Sequence, residues 1–288
     1  MRLLAVFLAL CLAGPASAET VRIGDRSYDI TLPSSPQGAP IILALHGGGG
    51  NPEQFASASG LGKRAAREGY AVIFPAGSGR RGDRLLTWNG GYCCGYAARR
   101  NIGDEAFLTE VIEDAADRFG LDGTRVYLTG MSNGSIMVET FAARHPDRVR
   151  AVAGVAGTMD ARSLAVAGRV PALMIHGTAD AMVPYEGGKG DRSLTQTDFA
   201  SVAAVVEDFL APWGKGLTSA SWTIDRKDDG TSVIVNEYRK GGQVVLRVMK
   251  IEGGAHHWPG GRKARLSEGK TEEIDANTEI LRFFALFP

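Results

Sequence analysis

Five short apolar runs, separated by stretches of helical spacing, constrain this chain more than any other feature. Ile41–Leu45, Tyr70–Phe74, Arg125–Thr129, Val149–Val155 and Ala172–His176 are too short for buried helices. Their near-continuous apolarity marks strands covered on both faces. Pro52–Glu68, Asp104–Phe119 and Ser135–Arg144 read as intervening helices, with Phe199–Leu210 and Thr271–Phe287 as two later ones. Val21–Leu32 alternates like a half-buried strand, and Ser232–Tyr238 and Val244–Ile251 add late strands. Strands alternating with helices predict an α/β fold, a mainly parallel central sheet with helices on both faces. In such sheets ligands collect at the carboxyl ends of the strands. No repeat, charge block or low-complexity linker interrupts residues 19–288, which are expected to form a single domain. The loop Gly77–Gly103 is long for this class, and because it holds Trp88, Tyr92 and Tyr96 it is expected to be functional rather than disordered.

The N-terminus is a separate matter. Met1-Arg2 is a short positive region, Leu3–Leu12 is unbroken apolar sequence, and Ala16-Ser17-Ala18 has the small residues of a cleavage site. The apolar run stops at Gly14-Pro15, well short of the roughly 20 residues that span a bilayer. Residues 1–18 are therefore read as a secretory signal peptide, and the location as periplasmic or extracellular. A lipid anchor at Cys11 fits less well, since Leu10 precedes it where a small residue is needed. Loss of the leader leaves Cys93 and Cys94, adjacent and without a third partner. They are read as a vicinal disulfide, as two buried thiols or as an intermolecular link. Lys and Arg total 32 against 32 for Asp and Glu, so the chain lacks the basic footprint of a nucleic-acid binder.

The sequence Gly130-Met131-Ser132-Asn133-Gly134 fits G-x-S-x-G and lies between a strand and a helix. There a sharp turn would project the Ser132 hydroxyl into a site. With 38 Gly in 288 residues, however, the pattern arises by chance about 0.3 times per chain, and a glycine-rich turn with a capping Ser is the plain alternative. A Ser hydroxyl needs a base, and the base needs a carboxylate to fix its tautomer. Of the five histidines, His145 lies at a helix end, and His46 and His176 close strands, where loop-organising hydrogen bonds are the default. His256 and His257 sit in the glycine-flanked loop Gly253–Gly260 and are the better base candidates. Asp180 follows the strand Ala172–His176. Ser132, Asp180, then a late His is the chain order of the α/β-hydrolases, and three separate placements agree on it. Donors to a developing oxyanion are expected from the Asn133 N–H and from Gly47 and Gly48 in the run Gly47–Gly50. That glycine run lacks the Lys-Ser/Thr ending and the spacing of nucleotide-binding loops.

These motifs resemble the polyhydroxybutyrate-depolymerase-type branch of the secreted α/β-hydrolases, which includes feruloyl and acetylxylan esterases. The resemblance is carried by His46-Gly47, by Trp88-Asn89-Gly90-Gly91-Tyr92-Cys93-Cys94-Gly95, and by Asp104 with Phe107. It continues through Val126–Gly134, His176–Asp180 with Val183–Gly188, and Gly253–Gly260, so it covers most of residues 19–288. It implies Ser132 as nucleophile, Asp180 as orienting acid and His256 as base, since the family's Gly-His-x-Trp-Pro-Gly loop puts His257 at the variable position. Ser135 stands where the family often has Gly, and Ala255 replaces the Gly before His256. The extra downstream cysteines of many members are missing. Polymer-degrading members commonly carry a linker and an adsorption domain; this chain ends at Pro288, so attachment to an insoluble granule is not expected.

The expectation is a secreted serine esterase acting on hydroxyalkanoate oligomers or on feruloyl or acetyl cell-wall esters. Trp88, Tyr92 and Trp258 are expected to form an aromatic substrate wall. No cofactor, metal, nucleic acid or membrane partner is expected, and zero net charge suits an uncharged ester. The rival readings are a serine peptidase on the same fold and a secreted carbohydrate- or polymer-binding protein with a vestigial site.

Overall fold

In β3 (Pro40–Leu45), Ile41, Leu43 and Leu45 enter one hydrophobic cluster, while Ile42 and Ala44 enter another. Strand alternation requires this of a run buried on both faces. The computed structural model that shows it describes residues 18–80, 82, 84–193, 195–262 and 269–288. The leader expected over residues 1–18 lies outside them except for Ala18, where β1 (Ala18–Ile23) begins.

The other strands are β2 (Arg26–Thr31), β4 (Ala71–Pro75), β5 (Asp122–Met131), β6 (Ala151–Val155), β7 (Ala172–Gly177), β8 (Gly188–Lys189), β9 (Asp198–Phe199), β10 (Leu217–Ile224), β11 (Ser232–Lys240) and β12 (Gln243–Glu252). Ten of the twelve form one sheet in the order β1-β2-β4-β3-β5-β6-β7-β12-β11-β10, and β8 pairs with β9 apart from it. From β4 to β12 every neighbouring pair is parallel, and antiparallel strands close both edges. Because β3, β5, β7 and β12 run the same way, the loops that leave them emerge at one end of the sheet.

The helices are α1 (Pro52–Ser59), α2 (Leu61–Arg67), α3 (Gly95–Arg99), α4 (Asp104–Phe119), α5 (Asn133–Arg144), α6 (Val202–Leu210) and α7 (Ala276–Phe284). Val111 of α4, Phe141 of α5 and Phe209 of α6 join the cluster of Ile41. Phe55 of α1, Ala65 of α2 and Phe284 of α7 join that of Ile42, so both faces are covered. Each such aromatic or aliphatic side chain contributes about 1.5–3 kcal/mol by leaving water.

Three elements differ from the sequence reading for local reasons. Pro52–Glu68 is two helices, because Gly60 takes φ 67° and returns its N–H to Ala56 O. A left-handed residue caps a helix. Val21–Leu32 is a hairpin that turns at Gly24, φ 54°. The helix expected over Thr271–Phe287 begins only at Ala276, where Asp275 accepts the Thr278 N–H at 2.8 Å. Three strands were not foreseen, the two-residue β8 and β9 and the long β10. β10 is exposed along most of its length, Leu-Thr-Ser-Ala-Ser-Trp-Thr-Ile, and is held by its ladder with β11 rather than by burial.

Candidate active site

The turn from β5 into α5 places Ser132 at φ 57°, ψ −123°, a conformation that costs a non-glycine residue energy. Its neighbours show why the turn can be so tight. A Cβ on Gly130 would stand 2.5 Å from the Gly134 backbone, and one on Gly134 would stand 2.6 Å from His46 O. The strand, the helix and the glycine run pack backbone to backbone, which only glycine permits. Ser132 donates its N–H to Val155 O at 2.8 Å, tying the turn to β6.

Asn133 opens α5, so its N–H belongs to the positive end of a twelve-residue helix. Neither that N–H nor those of Gly47 and Gly48 meet an acceptor among the described residues. Gly47 lies against Ser132 and Gly48 against Asn133, where a Cβ would stand 3.4 and 3.5 Å from theirs. His46 fixes this run. It accepts the Gly77 N–H at Nε2 (3.0 Å), which leaves Nδ1–H to donate to Gly47 O at 2.8 Å. Burial pulls His46 down to about 4, so the ring is neutral at pH 7 and serves the loop.

Asp180 and His256 meet across the ends of β7 and β12. His256 Nδ1 lies 2.7 Å from Asp180 Oδ2. A carboxylate only accepts, so Nδ1 carries the proton and Nε2 of the neutral ring keeps its lone pair. Oδ1 of Asp180 accepts the N–H groups of Met182 (2.8 Å) and Val183 (2.9 Å). His176 Nε2 stands 3.4 Å from Oδ2 while donating to Val183 O at 2.8 Å. Burial alone would raise the Asp180 carboxyl, but hydrogen bonds from His176 and His256 outweigh it and hold the group well below its ordinary value. His257 turns the other way: Nδ1–H donates to Ala255 O at 2.9 Å and Nε2 accepts the Thr271 N–H at 3.2 Å. Of the two adjacent histidines, only His256 reaches a carboxylate among the described residues.

The pocket beside Ser132 has a volume of about 510 Å³. Gly48, Gly49, Asn133, Ile136, Val183 and Phe199 line it together with residues of the loop Gly77–Gly103. That loop is bound to the glycine run by Gly49 N–H to Leu86 O (2.8 Å) and Leu86 N–H to Gly50 O (3.3 Å). The Asn133 side chain both accepts the Trp88 N–H (2.7 Å) and donates to Trp88 O (3.0 Å). Below the loop, Arg26 and Asp104 make a buried ion pair at 2.7 Å, and Asp104 accepts the Asn89 N–H at 2.7 Å. Cys93 and Cys94 are bonded to each other across a cis peptide.

The expected aromatic wall is corrected. Trp88 is fully buried, its indole N–H donating to His46 O at 3.0 Å. Trp258 is buried in the core, edge-on to Phe55, with its N–H on Asn277 Oδ1 at 3.0 Å. Both indoles satisfy their donors inside the protein and bury their rings, so neither faces the pocket. Tyr92 backs the wall instead of lining it. Its hydroxyl donates to Thr158 O at 2.6 Å, and its ring stands edge-on to Phe199, which lines the pocket together with Tyr96. The pocket residues Ile136, Val183 and Phe199 escaped the sequence reading because each reads as ordinary apolar filling. Ser132 and His256 are presented at the same end of the sheet, but no hydrogen bond joins them among the described residues. Such bonds are often long before substrate arrives.

The family described as esterase PHB depolymerase matches residues 26–167, a span that includes the glycine run, the Trp88–Gly95 segment and the Ser132 turn. Over those residues the chain is similar to the PHB-depolymerase esterase family. It is also similar to NocK of Nocardia uniformis subsp. tsuyamanensis, a protein named as an esterase, at 29% identity over 244 residues, 80% of this chain and 68% of NocK. It is also similar to feruloyl esterase B of Piromyces equi, at 26% identity over 240 residues. That match takes in 80% of this chain and 42% of the Piromyces protein, so the chain spans less than half of that relative. The acetyl xylan esterase from Aspergillus awamori superposes with a TM-score of 0.59 at 14% identity, covering 94% of this chain and 99% of that one. The fold is therefore that of the α/β-hydrolases, and the family match with the esterase relatives supports a carboxylic ester hydrolase.

Proposed function

We propose that the protein is a secreted serine esterase in which Ser132 is the nucleophile, His256 the base and Asp180 the carboxylate that orients it. The observation that carries this reading is the strained Ser132 turn beside a pocket, at the same end of the sheet as a His256–Asp180 pair whose tautomer leaves Nε2 able to accept a proton. Ser132 Oγ attacks the ester carbonyl carbon and gives its proton to His256 Nε2. The carbonyl oxygen becomes an oxyanion facing the N–H groups of Asn133 and of Gly47 or Gly48, where each donor is worth about 2.7–4 kcal/mol. The intermediate collapses as the carbon–oxygen bond to the alcohol breaks, and His256 delivers its proton to that oxygen. Water then attacks the acyl-serine, His256 takes its proton and returns it to Ser132 Oγ, and the acid leaves.

The names of the relatives, feruloyl and acetylxylan esterase among them, together with the family, support ester substrates of the hydroxyalkanoate or cell-wall type. The residue 1–18 segment supports export to the periplasm or beyond. The test is Ser132→Ala in purified protein. Hydrolysis of a short p-nitrophenyl ester and labelling by a fluorophosphonate probe should both disappear while circular dichroism is unchanged. Retained turnover would overturn the assignment.

A further inference from the structure

The chain as a whole is electrically balanced, with 32 basic and 32 acidic residues, but its pocket is not. The loop Gly77–Gly103 carries five arginines, Arg80, Arg81, Arg84, Arg99 and Arg100, against the single acid Asp83. Of these, Arg80, Arg84 and Arg99 line the pocket that opens on Ser132, and among the described residues no Asp or Glu lines it. Arg99 stands at the last residue of α3, while Arg80 and Arg84 come from the far arm of the loop, so three arginines reach the pocket from two separate stretches of chain. None of the three pairs with an acid among the described residues, whereas Arg26, Arg118, Arg125, Arg144 and Arg148 all do. The lining also holds the apolar Ile136, Val183 and Phe199 and the hydroxyl-bearing Thr87, Tyr96, Ser193 and Thr195.

Apolar and cationic side chains around one pocket suit a ligand that is apolar at one end and anionic at the other. We propose that the pocket selects esters that carry a carboxylate, with Arg80, Arg84 and Arg99 taking that group while the ester carbonyl lies at Ser132. Guanidinium forks match a carboxylate with two parallel hydrogen bonds and stay charged at any working pH. Low-dielectric walls focus their field on an incoming anion. Among the ester classes of the proposed function, an oligomer of a hydroxy acid bears a carboxylate at the end of its own backbone, and an acetyl ester of a neutral sugar does not. The preference is therefore for short hydroxy-acid oligomers with a free acid end. This inference rests on the esterase reading, which fixes where the carbonyl sits.

The test compares matched charged and neutral esters at low ionic strength. One arm puts the charge on the acyl side, monophenyl succinate against phenyl butyrate; the other puts it on the alcohol side, 4-acetoxybenzoate against phenyl acetate. In at least one arm kcat/KM should favour the anion about tenfold or more, mostly through KM, and the preference should shrink as salt screens the arginines. In Arg80→Gln, Arg84→Gln and Arg99→Gln the charged-to-neutral ratio should fall. These side chains are exposed, so the variants fold, and the wild-type salt series supplies an independent reading. Parity or a neutral preference in both arms, or ratios unmoved in all three variants, overturns the proposal. If the neutral esters are still cleaved in a Ser132-dependent way, the esterase reading survives that result; if no ester is cleaved, it falls too.

Discussion

Asp180→Asn removes one charge and almost no volume, and the geometry around Asp180 fixes what should follow. The side chain has no solvent exposure, and its two oxygens face the N–H groups of Met182 and Val183 on one side and His256 and His176 on the other. In the variant, the single amide oxygen must stay with the two backbone N–H groups, because they can only donate. The amide NH2 then faces His256 Nδ1 at 2.7 Å and forces the ring to accept there. That moves the imidazole proton to Nε2, the position that must receive the Ser132 proton, and removes the negative charge that stabilises the imidazolium. Carboxylate-to-amide changes of this kind lower kcat by about 10⁴, which at about 1.36 kcal/mol per decade is about 5 kcal/mol of barrier. The assay is kcat for a p-nitrophenyl ester at pH 7, with thermal melting to show that the variant is folded. The native Asp180 carboxyl lies below its ordinary value, so its contribution to stability is present above pH 3.8 and is lost as the pH falls through the depressed folded value. Melting temperatures of wild type and variant should therefore converge below pH 4. A folded variant within tenfold of wild-type kcat would refute the orienting role.

Gly134→Ala should destabilise by about 2–4 kcal/mol or prevent soluble expression, since its Cβ would press on Leu45 O and His46 O; an unchanged denaturation midpoint would contradict the packing. Glu139 on α5 is buried behind the nucleophile turn, accepting from Ser135 Oγ at 3.2 Å and the Met159 N–H at 2.8 Å, and burial pushes it up to about 8. A raised carboxylate favours the folded state fully below its unfolded pKa and loses that advantage as pH rises through the folded value. Urea titrations from pH 5 to 9 should thus show stability falling with pH in the wild type and a flatter profile in Glu139→Gln. Trp258→Phe should lower the melting temperature and leave KM for ester substrates within about twofold, since the ring packs on Phe55 and not on the pocket; a large KM change would restore the substrate wall.

Much of the fold was legible because burial on both faces writes itself into composition. Ile41–Leu45 and Ala172–His176 are apolar at successive positions, and Asp104–Phe119 has the same bounds in the structure as in the sequence reading. The edge was not legible. β10 buries almost nothing, so its residues carry no pattern, and its pairing partner supplies the only reason for it to be a strand. Gly60 broke a helix that periodicity had carried straight through, because a single left-handed residue does not disturb the apolar spacing around it.

The same division runs through the site. Ser132, Asp180 and His256 could be chosen from sequence because the chemistry demands rare residue types in a fixed chain order at the ends of recognisable strands. Trp88 and Trp258 misled for the converse reason: an indole in a glycine-rich loop has the same letter whether it faces a ligand or a carbonyl inside the core. Even the net charge, zero by count, concealed three arginines that line one pocket. The sequence by itself determined the α/β architecture and offered the serine turn, Asp180 and a late histidine pair as candidates, because local sterics and strand burial are properties of short segments. Only the tertiary structure decided which histidine meets Asp180, which aromatics line the pocket and which charged residues join them, because those depend on distances between residues far apart in the chain, as Asp180 and His256 are by 76 positions.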